Sequence, residues 1–401
     1  MKGRNDKYIL LTSSNFPEGG PAANYLNLFC RGLRLYNKDV RVFLLKGHAF
    51  GSLRYTGPRK NETREGISYT YLGFRQRPQM VILKLFDQAL SLLRLIFLLF
   101  SILKSKRSTT ILLYNSDIFF NLPIYFMSRL SRVKLVKFSA EIIDKSQYRN
   151  SLAGWILRAS HTANFRYLSR IPDKLIVFSH FLKLRFIELG YSEEEILIQP
   201  NLTDFSYWES ANVERKYTIG YSGAPYMKDG LFDLLKAISL LVRKGRDVSL
   251  IVIGDATFGR TLIPVLREEC SRLGVLDNVT FTGLVDSLMV KKYLSQCTCL
   301  AVTRPDTIQT RSGFPTKLGE YFAMKRPILA TRFGDMEKYF LDGVHILFAE
   351  CGSPESIGEK LEWIMDHDEE LDGIVTRGYN TALQLLEYKT SMRRILRFLS
   401  E

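Results

Sequence analysis

Short runs of β-branched and aliphatic residues recur through this chain, and stretches with helical spacing separate most of them. Residues 8–12 (YILLT) lead into a Gly/Pro loop at 13–21. Apolar residues then fall at Ala23, Leu26, Cys30 and Leu33, the spacing of one helix face. Further runs at 40–45, 67–72, 111–114, 133–138, 174–178 and 196–199 continue the alternation. A polar, aperiodic stretch at 200–216 interrupts it. A second series follows, with strand candidates at 217–221, 248–253, 279–281, 299–303, 327–330 and 346–348. Helix candidates at 231–242, 287–296 and 317–324 lie between them, and the tail from 353 on reads as mostly helical. Apolar strands alternating with helices predict parallel sheet covered on both faces. The chain therefore reads as two doubly wound, Rossmann-like α/β domains, at 1–200 and 217–380. Residues 201–216 read as the linker, and 381–401 as a helix packing back on the first domain. In such sheets ligands bind outside the carboxyl ends of the strands, so the cleft between two facing domains is the expected active site.

Charge distinguishes the two halves. Lys plus Arg number 56 against 41 Asp plus Glu, a net +15. Residues 1–200 hold 31 basic and 14 acidic side chains, and the remainder hold 25 and 27. The basic half suits an anionic partner: a phospholipid surface, a lipid diphosphate, an acidic sugar or nucleic acid. A merely soluble, basic face is the plainer alternative. The charges are spread over many elements instead of clustering with aromatics on one surface, which argues against nucleic acid. Cys30, Cys270, Cys297, Cys299 and Cys351 are scattered, so no disulfide framework or zinc set is expected, and a reducing, cytosolic compartment is. The polar opening reads as the approach to a first strand, not as a secretory leader. Residues 88–103 (QALSLLRLIFLLFSIL) are strongly apolar around Arg94, with Lys84, Asp87, Lys104, Lys106 and Arg107 flanking them. They fall short of the roughly 20 residues a spanning helix needs. The reading is a long helix, either buried or lying on a membrane surface, with a single membrane span as the less favoured alternative.

The segment 311–327 (RSGFPTKLGEYFAMKRP) carries the clearest chemistry. Gly313, Phe314 and Pro315 form a loop before an amphipathic helix, and Pro315 and Thr316 suit a helix start, where Thr can cap. Free amides at the positive end of a helix dipole hold phosphate, and Lys317 adds charge beside them. Glu320 lies one turn on, where a carboxylate can accept both hydroxyls of a ribose. The plainer alternative is a core helix with a solvated Glu and Lys. His180, at a strand-to-helix turn, reads as a cap or packing residue. Asp366, His367 and Asp368 read as a solvated face in a polar tail.

Segment 311–327 resembles the donor-binding motif of retaining glycosyltransferases of family 4, which have the GT-B fold. That family places two glutamates eight positions apart around a glycine-containing loop. Glu320 matches the second, and Ser312 occupies the place of the first. The resemblance implies donor contacts from Ser312, Gly313, Phe314, Pro315, Thr316, Lys317 and Leu318. Residues 173–204, 219–230 (IGYSGAPYMKDG), 250–255 (LIVIGD) and 278–283 (NVTFTG) extend it over most of the chain. Lys228 matches the lysine that neutralises the donor diphosphate. Ser222, itself an implied donor contact, stands where the family often has an arginine, and Lys317 or Arg304, the latter also an implied donor contact, is the candidate replacement for that charge. Gly19 and Gly20, in 16–23 (FPEGGPAA), match a glycine-rich loop that lets backbone approach the donor phosphate. Glu141, in 136–144, takes roughly the place of a histidine near the sugar, with capping of the next helix as the alternative.

The implied function is retaining transfer from a UDP- or GDP-linked sugar, without a metal or other cofactor. Lys228, Glu320 and Glu141 are the implied catalytic groups. The implied acceptor is a lipid-linked glycan in bacterial cell-surface polysaccharide synthesis. The enzyme would then be peripheral on the inner face of the cytoplasmic membrane. A nucleotide-sugar epimerase or hydrolase, or an inactive scaffold of the same fold, are the alternatives.

Overall fold

A computed structural model describes residues 7–48, 60–63, 65–104, 108–131, 133–142, 151–209, 213–256 and 261–401. Lys106, Arg107, residues 143–144 of the segment around Glu141, and 210–212 of the expected linker lie outside them. The chain divides into two compact units: Met1–Pro200 with Ser391–Glu401, and Asn201–Thr390.

The first unit is built on strands β1 (Lys7–Thr12), β2 (Asp39–Leu44), β3 (Lys60–Glu62), β4 (Ser68–Tyr71), β5 (Thr109–Tyr114), β6 (Lys134–Ser139), β7 (Lys174–Val177) and β8 (Ile196–Ile198). Their order is β3-β4-β2-β1-β5-β6-β7-β8. All pairings are parallel except β3 with β4, an exposed antiparallel edge that its polar sequence (KNE) did not signal. β1 pairs with β2 on one side and β5 on the other, so the strand order reverses there and the carboxyl ends of β1 and β5 form the switch point. Strand residues alternate between faces. Ile9, Leu11, Ile111, Leu113 and Leu135 form one core with Leu95, Leu99 and Ile102 of helix Val81–Leu103, and with Phe120, Ile124 and Tyr125 of helix Ile118–Ser131. On helix Pro21–Leu35, the Tyr25 ring lies 4.8 Å from that of Phe178 and the Phe29 ring 5.1 Å from that of Phe138. Chain residues from Ser391 on belong to this unit. Lys134 and Lys174, at the starts of β6 and β7, donate to the carbonyls of Leu399 (2.9 Å) and Phe398 (2.8 Å), satisfying a helix end and its dipole.

One helix is longer than the sequence reading. It begins at Val81 instead of residue 88 and runs 23 residues. Asp87 does not end it, because the carboxylate is buried and accepts from the Phe74 amide at 2.5 Å. The helix is thus long enough to span a bilayer. One of its faces lays Asp87, Ser91, Leu95, Leu99 and Ile102 against its own unit.

Among its described residues the second unit holds six parallel strands: β9 (Tyr217–Ser222), β10 (Leu250–Ile253), β11 (Val279–Phe281), β12 (Cys297–Val302), β13 (Ile328–Thr331) and β14 (Leu347–Ala349). Their order is β11-β10-β9-β12-β13-β14, with the switch point between β9 and β12. Helices Leu231–Arg243 and Pro354–Asp366 bury Leu234, Leu235, Ile238, Ile357 and Leu361 with Ile219, Leu250, Val252 and Cys299 of the sheet. The stretch read as a linker carries structure of its own. Thr203 donates its amide to Leu386 O and accepts from Tyr388 N, and Asp204 caps helix Phe205–Trp208. Backbone pairing with a partner some 180 positions away leaves no periodicity to read.

Candidate functional site

The site is assembled at the carboxyl ends of β9 and β12. After Ser222 the backbone turns through Gly223 (φ +114°), and after Ile253 through Gly254 (φ +111°). A Cβ on Gly254 would come within 3.1 Å of the Gly223 carbonyl, so bare backbone lines this edge. Beyond Gly223 a short turn, Met227–Asp229, places Lys228 and Asp229 at the head of helix Leu231–Arg243. Gly230 (φ +67°) closes that turn so tightly that a Cβ would sit 1.6 Å from the Thr303 carbonyl.

Asp229 is buried and is the centre of a charge cluster. Lys317 Nζ lies 3.4 Å from its Oδ1 and Arg304 Nη2 lies 3.3 Å away. Burial works to raise the Asp229 carboxyl, but Lys317, Arg304 and Lys228, in that order, outweigh it and hold the group below the ordinary carboxylate range. Lys317 is buried too, with Nζ 3.6 Å from the centroid of the Tyr221 ring. Burial pulls its ammonium down to about 8 against the opposing attraction of Asp229. Lys317, Arg304 and Lys228 therefore act on Asp229, with Glu320 the second carboxylate felt by Lys317, in a low-dielectric corner beside exposed Gly223. The buried Nε of Arg304 has no hydrogen-bond partner among the described residues.

Helix Thr316–Ala323 opens onto this cluster. Pro315 takes the N-cap position with no side-chain cap, and Thr316 is the first helical residue, not the cap its sequence suggested. Leu318 and Phe314 are buried and seat the helix, while Gly313 is partly accessible. Glu320 lies one turn in, with part of its surface open. Burial pushes its carboxyl up to about 7, partly offset by Lys317. The next residue fixes the helix to the strand end: Ser222 donates both its amide (2.8 Å) and its hydroxyl (3.3 Å) to Tyr321 Oη.

The second unit thus brings together Lys228, Arg304, Lys317 and, through Lys317, Glu320. Two expected contacts turn inward instead. Ser222 is spent on Tyr321, and Ser312 is fully buried with its hydroxyl on Gln309 O at 3.0 Å. Asp229 and Tyr321 escaped the sequence reading, and the only signal was their adjacency to Lys228 and Glu320. The first unit holds the remaining expected residues. Gly19 and Gly20 (φ +121° and +105°) follow β1. A Cβ on Gly19 would meet Asn15 Nδ2 at 2.6 Å, whereas Gly20 opens onto space. Glu141 is exposed after β6, and its charge reaches Tyr114 at the end of β5. Also unforeseen is a Lys46–Asp117 ion pair after β2 and β5.

The triplet at 366–368 is engaged in ion pairs and ring stacking, and His180 is not the cap of its helix. Asp366 pairs with Arg246, His367 stacks on Trp363 at 4.6 Å, and Asp368 pairs with Arg215. Ser179, not His180, caps the helix that begins there.

Residues 216–367 match the family described as Glycosyl transferases group 1. Among curated proteins, an uncharacterized glycosyltransferase of Methanocaldococcus jannaschii is 25% identical over 207 residues, 51% of this chain and 53% of that one. The chain thus spans about half the length of that relative. Among solved structures, HepE of Anabaena, crystallised with UDP and with UDP-glucose, superposes with a TM-score of 0.69 at 16% identity, over 98% of this chain and 99% of its own. Sucrose-phosphate synthase of Thermosynechococcus elongatus gives 0.72 at 14% identity, over 98% and 99%.

The fold is GT-B.

Within this GT-B chain, the family match covers the unit that holds Lys228, Asp229, Arg304, Lys317 and Glu320. Gly19, Gly20 and Glu141 belong to the first unit, outside the match.

Proposed function

We propose that this chain is a retaining glycosyltransferase of family 4 type, which moves a hexose from a nucleoside diphosphate sugar to a hydroxyl of a lipid-linked glycan. The observation that carries the donor assignment is the cluster of Lys317, Arg304 and Lys228 around buried Asp229, beside an uncapped helix start. Such a corner complements a diphosphate. Glu320, held one turn away, accepts the ribose hydroxyls once ionised. In the transfer the bond from the anomeric carbon to the diphosphate oxygen breaks, and the bond to the acceptor oxygen forms on the same face. The acceptor's proton passes to the departing diphosphate. The cations stabilise the charge that accumulates on that oxygen. Side chains do the neutralising, so the reading requires no metal ion. By the same resemblance, backbone at Gly19 and Gly20 serves the donor phosphate and the acceptor, and Glu141 orients an acceptor hydroxyl.

HepE binds UDP and UDP-glucose, which favours UDP over GDP as the donor nucleotide. The basic first half and its apolar helix support a lipid-linked acceptor and attachment to the inner face of a bacterial cytoplasmic membrane. Cell-surface polysaccharide synthesis is the matching role. Calorimetric titration with UDP-glucose and GDP-glucose tests the donor half. Binding of UDP-glucose that is lost in Lys317→Met supports it, and absence of binding to either nucleotide sugar overturns it. Turnover of UDP-glucose at full rate without an acceptor would favour an epimerase or hydrolase instead.

A further inference from the structure

The described helices on one face of the first sheet expose apolar side chains where a soluble protein presents polar ones. Helix Val81–Leu103 turns Asp87, Ser91, Leu95, Leu99 and Ile102 inward. Its opposite side carries Ile82, Phe86, Leu93, Phe97 and Phe100, all exposed, with Ile82 at 75% and Phe97 at 66%. Met80–Phe86 are exposed without interruption. Helix Ile118–Ser131 repeats the pattern. Phe120, Ile124 and Tyr125 are buried, while Phe119, Leu122, Phe126 and Leu130 form one outward row. Both helices bury residues in the same core on the same face of the sheet, so their outward rows look to the same side. Helix Leu152–Arg166 adds exposed Trp155. An apolar surface of this extent marks an interaction site.

Charge says what covers it. The three helices carry a single carboxylate, Asp87, and it is buried. Lys84, Arg129, Arg158 and Arg166 are exposed among the apolar rows, and Lys104 follows the first helix. Aromatic and aliphatic rows rimmed by cations and free of exposed acids complement the interfacial region of an anionic lipid leaflet.

We propose that helices Val81–Leu103 and Ile118–Ser131 together form a leaflet-inserted face, both lying in the plane of an anionic phospholipid membrane. The 23-residue helix lies along the surface because its buried row is committed to its own core. The Met80–Phe86 end enters as a wedge. The face rests on the membrane-attached reading of the function, and it stands apart from the reaction, whose cations lie in the other unit.

The test is flotation of the full chain with vesicles of equal parts phosphatidylcholine and phosphatidylglycerol, and with phosphatidylcholine alone. Wild type is expected to float with the anionic vesicles. Phe119→Ser with Phe126→Ser, and separately Ile82→Ser with Phe86→Ser, are each expected to weaken partitioning at least about tenfold while leaving thermal unfolding unchanged, since all four residues are exposed. Arg129→Gln is expected to weaken it roughly fivefold at low salt and less at high salt. Floating wild type with variants that float equally well overturns the face but leaves the membrane reading standing. Wild type that floats with neither vesicle overturns both. A dimer by light scattering that the same substitutions dissociate, with no flotation, assigns the face to a second copy and overturns the lipid.

Discussion

Lys317 Nζ lies 3.4 Å from Asp229 Oδ1, and both side chains are buried. The pair joins the start of helix Thr316–Ala323 to the turn after β9, 88 positions apart in sequence. Arg304 at 3.3 Å makes the arrangement unequal, because one carboxylate answers more than one cation. Asp229→Asn removes the carboxylate that buried Lys317 and largely buried Arg304 share. It is expected to lower stability by about 3 kcal/mol in urea unfolding. Saturating UDP is expected to raise the midpoint of the variant more than that of wild type, since a diphosphate supplies the missing charge. Equal shifts would remove Asp229 as the holder of these cations.

Nucleotide-sugar affinity is expected to pass through a maximum between about pH 7 and 8. Glu320 holds its proton up to about 7, and a protonated carboxyl loses one of its acceptor positions, so affinity falls on the acid side. Lys317 loses its charge above about 8, so affinity falls on the alkaline side. Titration of UDP-glucose binding against pH checks this. Glu320→Gln is expected to flatten the acid limb and to move the alkaline limb to lower pH, because Lys317 loses the attraction of Glu320.

Lys228 stands in the same turn as Asp229 and its charge is felt there. Lys228→Ala is expected to cost about 2–4 kcal/mol in kcat/KM, by analogy with loss of one donor to a developing anion. The unfolding midpoint should change little, because the side chain is only partly buried. Full activity in the variant would dismiss Lys228 from the chemistry.

Gly230→Ala is expected to destabilise the second unit by about 3 kcal/mol or more, from a strained φ and a clash with the Thr303 carbonyl that no rotamer relieves. Circular dichroism during thermal unfolding measures it. A wild-type midpoint would show that the turn can open.

The strands and the two-body organisation were legible because burial on both faces writes itself into sequence as short apolar runs. The edge strand β3 was not, since its three exposed residues have no apolar face to declare. The start of helix Val81–Leu103 was misplaced because a buried acid, Asp87, reads like a helix flank until its bond to the Phe74 amide is seen. Type and spacing placed Lys317 and Glu320 at one helix start, and the family resemblance pointed to Lys228; the structure sets Lys317 and Lys228 near Asp229. The inward turns of Ser222 and Ser312 were not legible, because a hydroxyl's partner is chosen by whatever lies nearest in three dimensions.

By itself the sequence determined which segments become strand or helix, where the backbone must turn through glycine, and which half carries the positive charge. These follow from local periodicity, backbone sterics and composition. Tertiary structure alone decided that Asp229 meets Lys317 and Arg304, that burial pushes the Glu320 carboxyl up to about 7, and that Phe119, Phe126, Ile82 and Phe86 are exposed on helices that share one core. Each of these depends on distance and burial between residues far apart in the chain, and Coulomb energy and desolvation are set by that separation and not by order along the backbone.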